Sequence, residues 1–195
     1  MKNLFREHSY SIVKMFINQI AIGIFGAMLS MATAAASSNT LSLVVSIFAV
    51  IFYLFLIYTM TWEIGAKDKI AIDHKSKRKN VHTGLILSLI ANIPNFLIAI
   101  VYSAIFPFMG TKQWAGNINT IIKILSLVIE GMYSGITSVI TLSVGGAVYP
   151  LHYFWWSYFL ITIPALVTSW IAYGAGLRNT RFGAIFVGPK KEKQK

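Results

Sequence analysis

Apolar residues run along this chain in long blocks, separated by short polar connections. The blocks cover roughly 10–34, 41–62 ("LSLVVSIFAVIFYLFLIYTMTW"), 83–106 and 153–176. Each exceeds the length of about 18 residues that a helix needs to cross a bilayer. The pattern therefore predicts an all-α, polytopic transmembrane helix bundle with four spanning helices, occupying 1–188, followed by a basic tail at 189–195.

The window 117–149 breaks the pattern. In it Asn119, Lys123, Ser126, Glu130, Ser134 and Thr137 recur at steps of three and four, with apolar residues on the remaining positions. That is one polar stripe on a helix. Such a helix lies in the interface on its apolar side, or lines a polar seam inside the bundle. Two crossings would leave spans of only about 16 residues each, short against the roughly 20 required. The expectation is an amphipathic helix on the outer face from about 117 to 134, then a re-entrant or short helical stretch, with Glu130 at the interface. Five or six spans is the alternative.

Charge sets the orientation. Only 12% of the 195 residues are charged, against 56% hydrophobic, and the formal net charge is +11. Lys67, Lys69, Lys75, Lys77, Arg78 and Lys79 crowd the connection after the second block, and further basic residues flank the first and follow the last. The connection "TAAASSNT" carries no charge, and the one after the third block carries only Lys112. Short basic loops stay on the cytoplasmic side, which places both termini there in a cell membrane. Both termini on one side require an even number of crossings. The basic residues flank hydrophobic spans without interleaved base-stacking aromatics, so anionic lipid headgroups are the expected partner and nucleic acid is not. The loop can also dock a membrane or cytoplasmic protein subunit. The first block has a basic start and an A-x-A site at Ala32–Ala34, yet it is longer than a signal-peptide core and holds Asn18 and Gln19. It is expected to remain as a span.

Polar residues inside the spans are the candidate ligand-binding set: Asn92, Asn95, Glu130, Asn18 and Gln19. In the third block Ser88, Asn92, Asn95, Ala99 and Ser103 share a helical face, and Pro94 frees a backbone carbonyl. Two amides beside a freed carbonyl can hold a small polar solute, as in discontinuous transporter helices. The plainer role is helix-to-helix hydrogen bonding worth about 1 kcal/mol or less per bond. Small residues at Gly23, Gly26, Ala27, Ser30 and Ala34 permit close helix packing. Trp155, Trp156 and Tyr158 form an expected outer aromatic belt, with Trp170, Tyr173 and Arg178 as the inner anchor. His152 is expected to be a lone interfacial histidine.

No zinc-protease, nucleophile-elbow or phosphate-loop motif occurs, and cysteine is absent. No catalytic residue, metal or cofactor is expected, and the chain is not expected to be an enzyme. The stretches "TWEIGAKDKIAID" and "IPALVTSWIAYGAGLRNTRF" resemble the small multi-spanning membrane proteins of Gram-positive bacteria. Gly23–Ala27 and Ala32–Ala36 also invite comparison with the substrate-binding subunits of energy-coupling-factor transporters, which have six spans. Two functions follow as expectations: a non-enzymatic partner-binding, scaffold or regulatory subunit, or a transport component that binds a small polar solute between helices.

Overall fold

A computed structural model describes residues 2–74 and 80–180. Helix α1, Lys2–Ala35, turns at Ser37, whose φ is 53°, into α2, Asn39–Asp73. Ser38 caps α2 by accepting the Leu41 N–H at 3.3 Å. With 35 residues α2 is about 52 Å long, so its last turns stand clear of a hydrocarbon layer about 30 Å thick.

The expected third span is present but broken. It consists of α3, Thr83–Ala91, and α4, Ile93–Ile105, bent by 56° about Asn92. Pro94 explains the break, because it cannot donate to the preceding turn. The Asn92 side chain takes over part of the repair by donating to the Ser88 carbonyl at 2.8 Å. Next come α5, Gln113–Glu130, a 3₁₀ turn at Gly131–Tyr133 and α6, Ser134–Val139. Strands β1, Thr141–Val144, and β2, Ala147–Pro150, form an antiparallel hairpin. Gly145 and Gly146, both at positive φ, make its two-residue turn. The chain ends in α7, Ser157–Leu160, and α8, Ile163–Leu177.

The outer surface is apolar and much of the interior is polar. Met28, Phe48, Ile51, Phe55, Ile121, Ile124 and Ile171 are exposed, whereas Gln19, Thr61, Ser88, Asn92 and Asn95 are buried. A water-soluble chain has the reverse preference. The arrangement fits a bundle solvated by lipid. Four helical stretches are long and apolar enough to cross a membrane: Arg6–Ala35, Asn39–Asp73, Gln113–Val139 and Ser157–Leu177. The bent α3–α4 pair is a fifth if counted as one span.

Contacts at the two ends of the bundle show which elements run its length. At the end where α1 begins, His8 lies 3.6 Å from Asp68, and Tyr173 donates to Asp68 at 2.7 Å. Gly65 meets the backbone of Tyr173 and Gly176, and Gly84 meets Ser169 and Tyr173. The starts of α1 and α3 and the ends of α2 and α8 therefore share this proximal end. At the distal end, Tyr102 donates to the Tyr153 carbonyl at 2.9 Å, the Phe106 and Tyr153 rings lie 5.5 Å apart, and Gly135 packs on Ser42 and Ser46. Helices α1, α2, the α3–α4 pair and the α7–α8 pair thus each run from one end to the other.

The α5–α6 unit, Gln113–Val139, packs against them. It starts beside the distal end of α4, where Ala115 packs in one cluster with Tyr102 and Ile105, and it finishes at Ser42. Between these points Val128, Ile129 and Gly131 reach Gly23, and Met132 reaches Gly26. Gly23 lies twelve residues before the end of α1, about 18 Å down from its distal end. The unit packs past α1 as one helical stretch, Gln113–Val139, tightened by the 3₁₀ turn at Gly131–Tyr133. Its turn fits because Gly23, Gly26 and Gly131 let backbone touch backbone; a Cβ on Gly131 would collide with the Gly23 carbonyl. Ser46 ties the turn down, donating to the Met132 carbonyl at 2.6 Å and accepting from the Ile136 N–H at 3.2 Å.

The helix expected from about 117 to 134 is present, begins at Gln113 and, with α6, is long and apolar enough to cross a membrane. Glu130 is 3% exposed, so its expected interfacial position is corrected to a buried one. Two aromatic anchors are corrected as well: Tyr158 and Tyr173 are core residues, 4% and 1% exposed.

Candidate functional site

A cavity lies along one face of α5–α6. Lys123, Ser126, Glu130, Ser134 and Thr137 form one wall of it, and the Leu151–Tyr153 3₁₀ turn with α7 forms the other. The cavity measures about 260 Å³ and is lined by Lys123, Ser126, Glu130, Tyr133, Ser134, Thr137, His152 and Tyr158 among others. Lys123 and Ser138 are exposed at its mouth, while Glu130 and Gly131 are buried at its floor.

Five residues of the polar stripe read from sequence, Lys123, Ser126, Glu130, Ser134 and Thr137, line this space. The stripe faces inward because His152, Ser157 and Tyr158 cover that side of α5–α6. The sixth, Asn119, has a buried Oδ1 without a hydrogen-bond partner and does not line the cavity.

Glu130 is held from one side only. Ser126 Oγ donates to Oε2 at 2.7 Å, one helical turn away, whereas buried Oε1 has no hydrogen-bond partner. The hydroxyl of Tyr133 is buried and unpaired as well. Tyr53, Tyr133 and Tyr158 lie within electrostatic range of the carboxylate. An unmade hydrogen bond on a buried polar atom costs about 1–3 kcal/mol, more for a charge. The floor thus presents an acceptor oxygen and a phenol, both without a partner, to a space large enough for a small molecule.

At the rim His152 donates from Nδ1 to the Thr137 carbonyl at 3.3 Å; a carbonyl only accepts, so that nitrogen carries the proton. Burial holds the His152 pKa below the usual histidine range, against the Thr137 carbonyl, which raises it, and with the Lys123 charge, which lowers it further. The ring is neutral at pH 7.

The other sequence candidates lie elsewhere. Asn92 bonds to Ser88, and neither it nor Asn95 lines the cavity, so the expected union of Asn92, Asn95 and Glu130 is not formed. Asn95 Oδ1 and Gln19 Nε2 are buried without partners. Asn18 donates to the Met60 sulfur at 2.9 Å. These amides sit in helix–helix packing. Of the basic loop, Lys67 pairs with Glu63 at 2.7 Å and Lys69 is the last described lysine; Lys75, Lys77, Arg78 and Lys79 lie outside the described residues, as does the tail. Tyr133, His152 and Tyr158 were missed as site residues. They come from a turn and from a distant part of the chain, and spacing alone carries no trace of such convergence.

Comparisons with protein-family models, with curated proteins and with solved structures returned no match for this chain.

Proposed function

We propose that this protein is a non-enzymatic membrane component that binds a small polar solute with a cationic, hydrogen-bond-donating head in the cavity above Glu130. The observation that carries the reading is the buried carboxylate with one oxygen satisfied by Ser126 and the other left facing a cavity. A carboxylate in a low-dielectric floor needs a positive partner. An ammonium group supplies both the charge and the donors that Oε1 lacks. At about 260 Å³ the space is smaller than a drug-sized site, and it holds on the order of ten non-hydrogen atoms at most.

The orientation belongs to the same proposal. Basic connections on the cytoplasmic side place the termini there and open the cavity toward the outer face of a cell membrane. Lys69 and the basic loop then meet anionic headgroups. The transport reading survives in altered form, with Glu130 and not the two asparagines at its centre. The partner-binding reading rested on the basic loop, and nothing among the described residues favours it over solute binding.

The test is titration of the reconstituted protein with ethanolamine and with ethylene glycol, a neutral probe of similar size. Saturable ethanolamine binding is expected, weakened at least tenfold by Glu130→Gln and blocked by Ser138→Trp at the mouth. Absence of ethanolamine binding, or binding indifferent to both substitutions, removes the proposal.

A further inference from the structure

At the proximal end, far from the cavity above Glu130, three side chains from two helices converge. Glu7 and His8 on α1 and Asp68 on α2 each direct a ligand atom to one place, and these atoms all lie within 4.8 Å of one another. His8 and Asp68 are buried, and Glu7 is exposed. All three border a second cavity, of about 290 Å³, between the start of α1 and the projecting part of α2.

Two distances bear on what the cluster does. His8 Nε2 is 3.6 Å from Asp68 Oδ2. That is too long for a charge-assisted hydrogen bond, which closes to about 2.7–2.9 Å. It is close to the edge of a tetrahedron drawn around a Zn²⁺ ion, about 3.4 Å for bonds of 2.0–2.1 Å. The second distance is 2.7 Å, from the Tyr173 hydroxyl to the same Asp68 oxygen. A buried donor that aims a carboxylate is the usual outer partner of a metal ligand. Tyr173 is 1% exposed on α8, so it holds Asp68 from a third helix.

We infer that Glu7, His8 and Asp68 form a binding site for a divalent transition-metal ion, best matched by Zn²⁺, with water in the fourth position. One imidazole and two carboxylates are the donor set that suits this borderline ion. The ion clamps the start of α1 to α2 and, through Tyr173, to α8. The site lies where α2 stands clear of the hydrocarbon, so the ion enters from water.

The experiment uses the full chain in detergent, purified without a histidine tag, stripped with chelator and titrated with ZnCl₂ by calorimetry. One Zn²⁺ per chain is expected, with dissociation at or below micromolar concentration and a higher unfolding temperature. His8→Ala and Asp68→Asn should each weaken binding at least a hundredfold. Exposed Glu7→Gln tests the site without risk to folding and should cost at least tenfold. Tyr173→Phe keeps every ligand and should weaken binding about tenfold through misorientation of Asp68. His82→Ala should leave binding unchanged. No stoichiometric binding to the wild-type chain overturns the inference, and so does binding that Glu7→Gln and His8→Ala leave intact.

Discussion

A carboxylate buried in a membrane bundle is stable only as well as its hydrogen bonds are made, and Ser126 is the donor to Glu130. Ser126→Ala leaves Oε2 unpaired beside an already unpaired Oε1. Unfolding in a mixed-micelle titration should show a loss of about 1–3 kcal/mol. A change smaller than about 0.3 kcal/mol would mean that the carboxylate is solvated through the cavity instead. His152 gives the second prediction at this scale. Its folded pKa is lowered by burial, so between the unfolded value near 6.5 and that lower value the unfolded chain binds the extra proton. Stability from this ring is present above that window and lost as pH falls through it. Lys123 faces the ring with a charge of the same sign, and Glu130 and Tyr158 share its cavity. The melting temperature of the wild-type chain should therefore drop more between pH 7.5 and 5.5 than that of His152→Gln; equal slopes would refute the assignment. The polar stripe of this site was legible in sequence, since a period of three to four shows a helix face whatever the fold. Its depth was not: an inward-facing and an interfacial stripe look alike until the residues that cover them are known.

Among the helices, the packing of α5–α6 on α1 depends on which residues allow backbone to touch backbone. A Cβ at Gly131 meets the Gly23 carbonyl and comes within 2.9 Å of the Ala27 Cβ. Neither atom belongs to a flexible side-chain end, so the turn or α1 must move. Gly131→Ala should destabilise by about 1–3 kcal/mol, as overpacking does. Gly174→Ala is the matched control: a Cβ there meets nothing within 4 Å, and alanine improves helix propensity by about 0.5–1 kcal/mol. Thermal unfolding of the pair should move in opposite directions, and equal shifts would show that the close approach at Gly23 is not what fixes the turn. The two broken elements differed in how plainly the sequence announced them. Pro94 forecast a defect in the third span, and the helix breaks two residues before it, at Asn92. The α5–α6 turn contains no proline. Its glycine acts through a partner more than a hundred residues earlier, a contact that no local reading of the chain contains.

For the whole molecule, the question is whether α5–α6 crosses the membrane or returns. Composition admits a crossing, because Gln113–Val139 is long and apolar enough for one. Charge parity opposed it from the sequence, since both basic ends need an even count of crossings, and parity was the one global constraint the sequence carried. Contacts with Gly23, Gly26 and Ser42 fix where the unit packs on α1 and α2. The two courses differ in a quantity that can be measured directly. Thr111 and Ser143 flank the unit, both exposed, and the chain contains no cysteine to interfere. Single substitutions Thr111→Cys and Ser143→Cys should react with a membrane-impermeant maleimide from the same side of sealed vesicles. Asn80→Cys and Thr180→Cys, at the proximal end, should react only from the other side. A crossing helix puts Thr111 and Ser143 on opposite faces and makes the number of crossings odd. Labelling of Thr111 and Asn80 from one face would be a separate failure, because it would mean that the bent α3–α4 pair does not cross. Each pattern of labelling thus points to a different element, and only one of them is compatible with four crossings and a re-entrant fifth segment.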